Sequence, residues 1–208
     1  MLYFLVQLVP IGFNEDMVNE ESKLNPLSIY AYTKMLSEQE VLKRNGTVFR
    51  LGTIYGLGDQ FARIRADLVV NTLCIKSFVE GEITLNGGNQ YRPLICVKNI
   101  ANYVEENIRK KQKGIFNLGY KNVKIIELAD EIKKVFPNVK LNITDQMFQD
   151  NRSYKVDFSK SRKHFEYVPA ITVEQEIREL YTLLKEGRIK NPLNILYNNG
   201  LYLATQRI

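Results

Sequence analysis

Tyr30 and Lys34, four residues apart in NPLSIYAYTK, could act together as a proton-transfer pair. A phenol with a pKa of about 10 is a poor base at neutral pH. A lysine one helical turn away lies on the same face. Its positive charge favours the phenolate and brings the group towards the working range. The spacing alone decides nothing, because the chain has 12 tyrosines and the pattern recurs at Tyr120/Lys124 and Tyr181/Lys185. A half-buried tyrosine beside an exposed lysine on an ordinary helix would look the same. Other residue types narrow the chemistry further. Cys74 and Cys96 sit in apolar runs without metal-ligand spacing and read as buried thiols of a reducing cytoplasm. The single histidine, His164, lies in the polar stretch SKSRKHFEY and reads as a surface residue. A His/Cys metal centre is therefore not expected.

The composition, 45% hydrophobic and 25% charged, is that of an ordinary globular chain. Its 208 residues suffice for one domain, or for a large domain with a smaller one. The net charge of +6 suits an anionic partner. Basic residues are dispersed except between Lys98 and Gly114, and no helix-turn-helix, zinc-finger or RNP-like pattern accompanies them. Nucleic acid is thus not an expected partner; a cleft for a phosphate-bearing small molecule suits the charge equally well. The opening MLYFLVQLVPIGF is too short to span a bilayer and lacks a basic n-region and a cleavage site. No membrane association is expected, and the expected location is cytoplasmic.

The elements that must position these residues alternate in type. Residues 3–9 form an apolar run expected of a strand covered on both faces. GFNEDMVNEESKLNP reads as a polar loop, and Ser28 to Asn45 as a helix stopped by Gly46. TVFRLGTIYG reads as one buried strand, RADLVVNTLCIKSFVEG as a helix, and ITLNGGNQYRPLICV as a strand, a Gly-Gly turn and a second strand. NIANYVEENIRKK is an amphipathic helix, GIFNLGY a short strand, KIIELADEIKKVFP a helix and VKLNITD a strand. KSRKHFEYVP and TVEQEIRELYTLLKEG read as helices, and the tail NPLNILYNNGLYLATQRI carries no assignment. This alternation predicts an α/β protein with a largely parallel sheet.

Six segments, in order, resemble the extended short-chain dehydrogenase/reductase family, specifically its NAD-dependent nucleotide-sugar epimerases and dehydratases. NPLSIYAYTK is similar to the family's P-x-S-x-Y-x-x-x-K, and VFRLGTIYG to its next strand. RIRADLVVNTLC resembles the substrate-side helix, and GGNQYRPLICVKNIANYV the segment R-x-(apolar)-V-x-x-(apolar)-A. GIFNLGYKNVKIIELADEI resembles the N-(apolar)-G turn with its helix, and DNRSYKVDFSKSRKHFEYVP the region that closes over the nucleotide. The resemblance runs from about Phe13 to Leu184.

It implies a Rossmann-like parallel sheet with a smaller nucleotide-sugar-binding α/β domain. Residues 1–56 would belong to the dinucleotide-binding domain, with about 90–110 returning to it, and 57–208 mainly to the substrate domain. The implied cofactor is NAD (or NADP) and the implied partner a nucleotide-diphosphate sugar, oxidised at a carbon by hydride transfer. Tyr30 would be the acid–base, and Lys34 its electrostatic partner and anchor for the nicotinamide ribose. Arg92 and Arg152 would grip the diphosphate, Asn71 would touch the same part of the substrate, and Asn117 would hold a turn. The family dimerises through the tyrosine-bearing helix, so a homodimer is implied too. Two departures stand out. No G-x-G-x-x-G occurs, and the nearest match, Gly56-Leu57-Gly58, has Phe61 where the third glycine would fall. The family's catalytic Ser/Thr position holds Gln7 in LVQLVPIG, with no acidic pair beside it, which leans towards epimerase over dehydratase. Both departures lie at the start of the chain. The resemblance therefore implies a Rossmann domain that lacks its N-terminal strands, either an enzyme or a non-catalytic remnant that keeps only nucleotide-sugar contacts.

Overall fold

Chain order and hydropathy become architecture through two short crossings. The computed structural model describes residues 3–7, 17–58, 64–144 and 153–205. Along the chain run β1 (Tyr3–Gln7), β2 (Met17–Val18), α1 (Ile29–Lys43), β3 (Thr47–Leu51), β4 (Thr53–Tyr55) and α2 (Val69–Val79). Next come β5 (Glu82–Asn86), β6 (Tyr91–Cys96), α3 (Val97–Lys110), β7 (Gly114–Leu118), β8 (Lys121–Lys124) and α4 (Ile125–Val135). The chain continues with β9 (Lys140–Thr144), β10 (Lys155–Val156), α5 (Ser159–Phe165) and α6 (Val173–Lys185). A 3-10 turn (Ile195–Tyr197) and α7 (Asn199–Thr205) follow.

The first sheet has the order β1-β3-β7, all parallel. Every residue of its central strand, β3, is buried, as a parallel strand covered on both faces requires. A second sheet has the order β4-β6-β8, its last pair antiparallel. Two parallel pairs, β5-β9 and β10-β2, complete the set. The alternation expected from the sequence is present, and the fold is α/β with a Rossmann-like parallel sheet.

Two stretches differ from expectation. TVFRLGTIYG is two strands in two sheets, broken at Gly52. The Gly52 amide donates to the Leu118 carbonyl at 2.9 Å, and a Cβ there would meet the Pro93 carbonyl oxygen at 2.9 Å. The chain turns there because only a residue without a side chain fits that close approach. The Gly-Gly segment does not join paired strands either: β5 pairs with β9, and β6 with β4 and β8. Gly87 (φ 75°) and Gly88 (φ 103°) instead turn the chain onto the start of α4, where the Ile126 amide donates to the Gly88 carbonyl. The polar loop also holds the short β2, which is ordered by pairing with the distant β10.

Two apolar clusters hold the layers. Tyr55, Leu73, Ile83, Leu94, Leu128 and Ile177 fill the space between α2, α4, α6 and the second sheet. Phe49, Tyr103, Phe116 and Phe165 pack between the first sheet and α3 and α5. Their rings meet edge to face, with Phe165 4.9 Å from Phe116 and 5.7 Å from both Phe49 and Tyr103 between centroids. Cys74 and Cys96 are buried and unpaired. Among the described residues no helix is long and apolar enough to cross a membrane.

Candidate functional site

Helix α1 begins where Pro26 ends the extended approach and Ser28 caps the first turn, its hydroxyl accepting from the Ala31 amide at 3.1 Å. It ends with Asn45, rather than Gly46, in the left-handed conformation (φ 56°), and the Gly46 amide donates to the Val41 carbonyl. Ala31, Glu38 and Val41 face inward. Tyr30 is 49% exposed in the first turn. The Lys34 ammonium lies 5.4 Å from the Tyr30 ring centroid and 5.3 Å from that of Phe4 on β1. The helical spacing thus brings both groups to one place beside the sheet.

A buried ion pair fixes the helix that carries them. Arg50 on β3, 2% exposed, donates through Nε and Nη2 to the two carboxylate oxygens of Glu38, at 2.9 and 2.5 Å. This bidentate geometry suits a guanidinium better than any other cation. Arg50 also reaches the Glu20 carbonyl at 3.2 Å, and the Glu20 carboxylate accepts from the Asn117 amide at 2.8 Å. The C-terminal ends of β3 and β7 are thereby tied to the loop in front of α1. Crevices at such strand ends are where open α/β sheets place ligands. Asn117 is fully buried, and its Oδ1 has no hydrogen-bond partner among the described residues.

Sequence reasoning missed Arg65 and Asp67. The Arg65 fork donates to both Asp67 oxygens, at 2.7 and 2.9 Å. That bond holds the guanidinium above its ordinary range, and Tyr30 lies near enough to add to the shift. Burial would raise the Asp67 carboxyl, but Arg65 and backbone donors hold it low. The tail without an assignment docks here: the Ala66 amide donates to the Tyr197 carbonyl at 2.8 Å, and the Asn199 amide to Asp67 at 3.3 Å. The R-x-D spacing was the available signal.

The remaining expected site residues are scattered. Asn71 is buried, accepts from the Gly56 amide at 3.2 Å, and donates to the carbonyls of Gly56 (3.3 Å) and Arg65 (3.1 Å). Its amide joins the end of β4 to the Arg65 segment. Arg92 stands on β6 opposite Val123, with Nη1 donating to the Tyr91 carbonyl at 3.0 Å. Arg152 lies outside the described residues, as does Phe61. Gln7 ends β1 opposite Leu51.

For a dinucleotide the described residues fit in part. Lys34 offers an ammonium and Tyr30 a half-exposed hydroxyl, donors that a ribose would need. The Gly56-Leu57-Gly58 turn does not suit pyrophosphate, because the buried Glu176 carboxylate accepts the Leu57 amide at 3.1 Å. The Leu57 and Gly56 amides are thus already taken, the second by Asn71. Glu176 is held in turn by Lys98 at 2.8 Å. Burial, with Glu176 adding, pushes the neighbouring Cys96 thiol up to about 11.

The profile of the NAD dependent epimerase/dehydratase family matches residues 9–119, just over half of the sequence, and the chain belongs to that family. Solved structures share the fold. The NAD dependent NDP-hexosamine 5,6-dehydratase of tunicamycin biosynthesis superposes with a TM-score of 0.75 at 16% identity, over 88% of this chain and 63% of its own. UDP-glucuronic acid 4-epimerase from Bacillus cereus gives 0.74 at 19% identity, over 88% and 61%. UDP-N-acetylglucosamine 4-epimerase from Methanobrevibacter ruminantium M1 gives 0.73 at 21% identity, over 88% and 62%. The chain spans about three-fifths of the length of these structures.

Proposed function

We propose that this chain performs the acid–base and substrate-holding part of an NAD-dependent epimerisation or dehydration of a nucleotide-diphosphate sugar, with epimerisation favoured. The observation that carries the reading is the Lys34 ammonium 5.4 Å from the ring of the half-exposed Tyr30 on the first turn of α1. A bound nicotinamide would supply the hydride acceptor. Tyr30 would take the proton of a sugar hydroxyl and return it. Lys34 would balance the negative charge that develops on the phenol oxygen during that transfer and hold the cofactor ribose. The Glu38–Arg50 pair would keep both at a fixed height above the sheet. Arg92 and Arg152 would bind the diphosphate, and Asn71 would hold the Arg65 segment towards the sugar. Ile29, Tyr32 and Leu36 leave an apolar stripe on α1 (84, 50 and 41% exposed) that suits a homodimer contact.

The carboxylate at the Leu57 amide favours one second reading, a subunit that binds nucleotide-sugar without turning it over. Incubation with NAD and UDP- and dTDP-hexoses, followed by product analysis, separates the two. Turnover that is lost in Tyr30→Phe, with unchanged nucleotide-sugar affinity, supports the enzyme. No product at saturating NAD, or equal activity in the variant, removes it.

A further inference from the structure

Glu176, on the first turn of α6, is a buried carboxylate that the acid–base chemistry leaves unused. Its two oxygens join three parts of the chain. One accepts the Leu57 amide at 3.1 Å, just past the end of β4. The other accepts the ammonium of Lys98, on the first turn of α3, at 2.8 Å. Lys98 also donates to Glu179 at 2.6 Å. A lysine at the start of a helix opposes the helix dipole. A carboxylate whose side chain is only 2% exposed is costly to bury. Neither placement is favourable by itself, and each is explained by the other.

The turn fits this carboxylate closely. Gly56 has φ 91°, a conformation that favours glycine, and a Cβ there would fall on the Glu176 carboxylate. The turn leaves the C-terminal end of β4, which runs parallel to β6, and such strand ends are where α/β sheets place ligands. One side chain, Asn71 on α2, accepts the Gly56 amide and donates to the carbonyls of both Gly56 and Arg65. The Thr72 hydroxyl donates to the Ala66 carbonyl at 2.5 Å, and Asp67 holds the Arg65 fork. Contacts therefore run from Glu176 through Leu57, Gly56 and Asn71 to Arg65. Asn71 ties this segment to α2, whereas Glu176 ties it to α3 and α6.

We propose that the Lys98–Glu176 pair is a latch that sets residues 56–58 and 64–67 for nucleotide-sugar binding, making both members positioning residues for substrate affinity. The inference rests on the function proposed above, in which the Arg65 segment faces the sugar. Glu176 supplies the acceptor that fixes the turn, and Lys98 keeps that acceptor's charge balanced. Neither touches the reacting atoms.

The test combines amide exchange, followed by nuclear magnetic resonance, with calorimetric titration of UDP-glucose into the full chain. Two double variants lack both charges and differ in the acceptor: Lys98→Met/Glu176→Met removes it, and Lys98→Met/Glu176→Gln keeps it. In the first, the Leu57 amide should exchange at least about tenfold faster, a hydrogen bond to a charged acceptor being worth a decade or more. Its UDP-glucose affinity should fall about tenfold, and in turnover KM should rise while kcat stays within about threefold. The Val48 and Phe116 amides of the first sheet should change by less than about threefold. The Gln variant should stay within about threefold of the parent throughout, and adding Glu176→Gln should restore the affinity lost in Lys98→Met alone. Unchanged Leu57 exchange in the Met variant overturns the proposal, as does a loosened turn with UDP-glucose affinity intact. A rise in exchange shared equally by the first sheet also overturns it, since that marks a contribution to stability alone. So does a Gln variant as weak as the Met variant. Binding of UDP-glucose with these effects but without product removes the enzymatic reading and leaves the latch standing. A parent that binds no UDP-glucose overturns both.

Discussion

Replacing Glu38 with alanine should unfold this protein far more readily than any substitution of an exposed ion pair. Arg50 is 2% exposed and would lose both of its carboxylate acceptors, at 2.9 and 2.5 Å, keeping only the Glu20 carbonyl at 3.2 Å. Leaving a buried charge without its partner costs about 3–5 kcal/mol. Total stability for a domain is about 5–15 kcal/mol. At about 2–4 °C per kcal/mol for a chain of this size, the melting temperature should fall by roughly 6–20 °C. The comparison variant, Glu38→Met/Arg50→Met, removes both charges and should regain most of the loss, because an apolar pair of similar volume replaces a buried ion pair at little cost. Urea unfolding followed by circular dichroism measures all of these, with an unchanged slope showing that only stability has moved. The surface pair Lys43–Glu40 serves as a control, since both side chains are more than half exposed; Glu40→Ala should leave the urea midpoint almost unchanged. A Glu38→Ala variant that loses less than about 1 kcal/mol, or a double variant no more stable than the single one, refutes the reasoning.

Two further outcomes follow from burial. Gly119→Ala should destabilise by about 1–3 kcal/mol or more in thermal denaturation, because its Cβ would fall on the buried Phe158 ring. Stability should decline in alkali. The Cys96 thiol ionises near 9.0 when unfolded and is pushed up to about 11 when folded, so above pH 9 the unfolded chain sheds a proton that the folded chain keeps. This contribution is whole below pH 9 and lost as pH rises to about 11. Buried Tyr103, pushed up to about 12, acts in the same direction above pH 10. Urea midpoints from pH 8 to 11 should fall less steeply in Cys96→Ala, and parallel curves would contradict the assignment.

Much of the scaffold was legible because its signals are local. The Pro26–Ser28 entry to α1, the apolar run of β1 and the amphipathic faces of α3, α4 and α6 depend on residues within a turn or two. What escaped depends on distant partners. TVFRLGTIYG reads as one buried strand, and its break at Gly52 is set by the Pro93 and Leu118 carbonyls. The turn at Leu57 is set by Glu176, 119 positions away. The Tyr30–Lys34 pair could be found from spacing plus context, and the Arg65–Asp67 pair only from its R-x-D spacing, since its docking against Tyr197 and Asn199 rests on distant residues. The tail had no internal signal at all, being ordered by contacts with Ala66 and Asp67.

The chain passes from the first sheet to the second twice, at Gly52 and at Gly119–Tyr120, and the two passages lie side by side. The Gly52 amide donates to the Leu118 carbonyl, and the Tyr120 amide to the Leu94 carbonyl at 2.6 Å. Strands of the two sheets therefore alternate along the sequence like stitches through two pieces of cloth. Any single cut that keeps one of these sheets whole also carries strands of the other, so neither is a module that recombination or an engineer could lift out cleanly. Changes of specificity in such a chain must come through its loops and side chains, with both sheets inherited together.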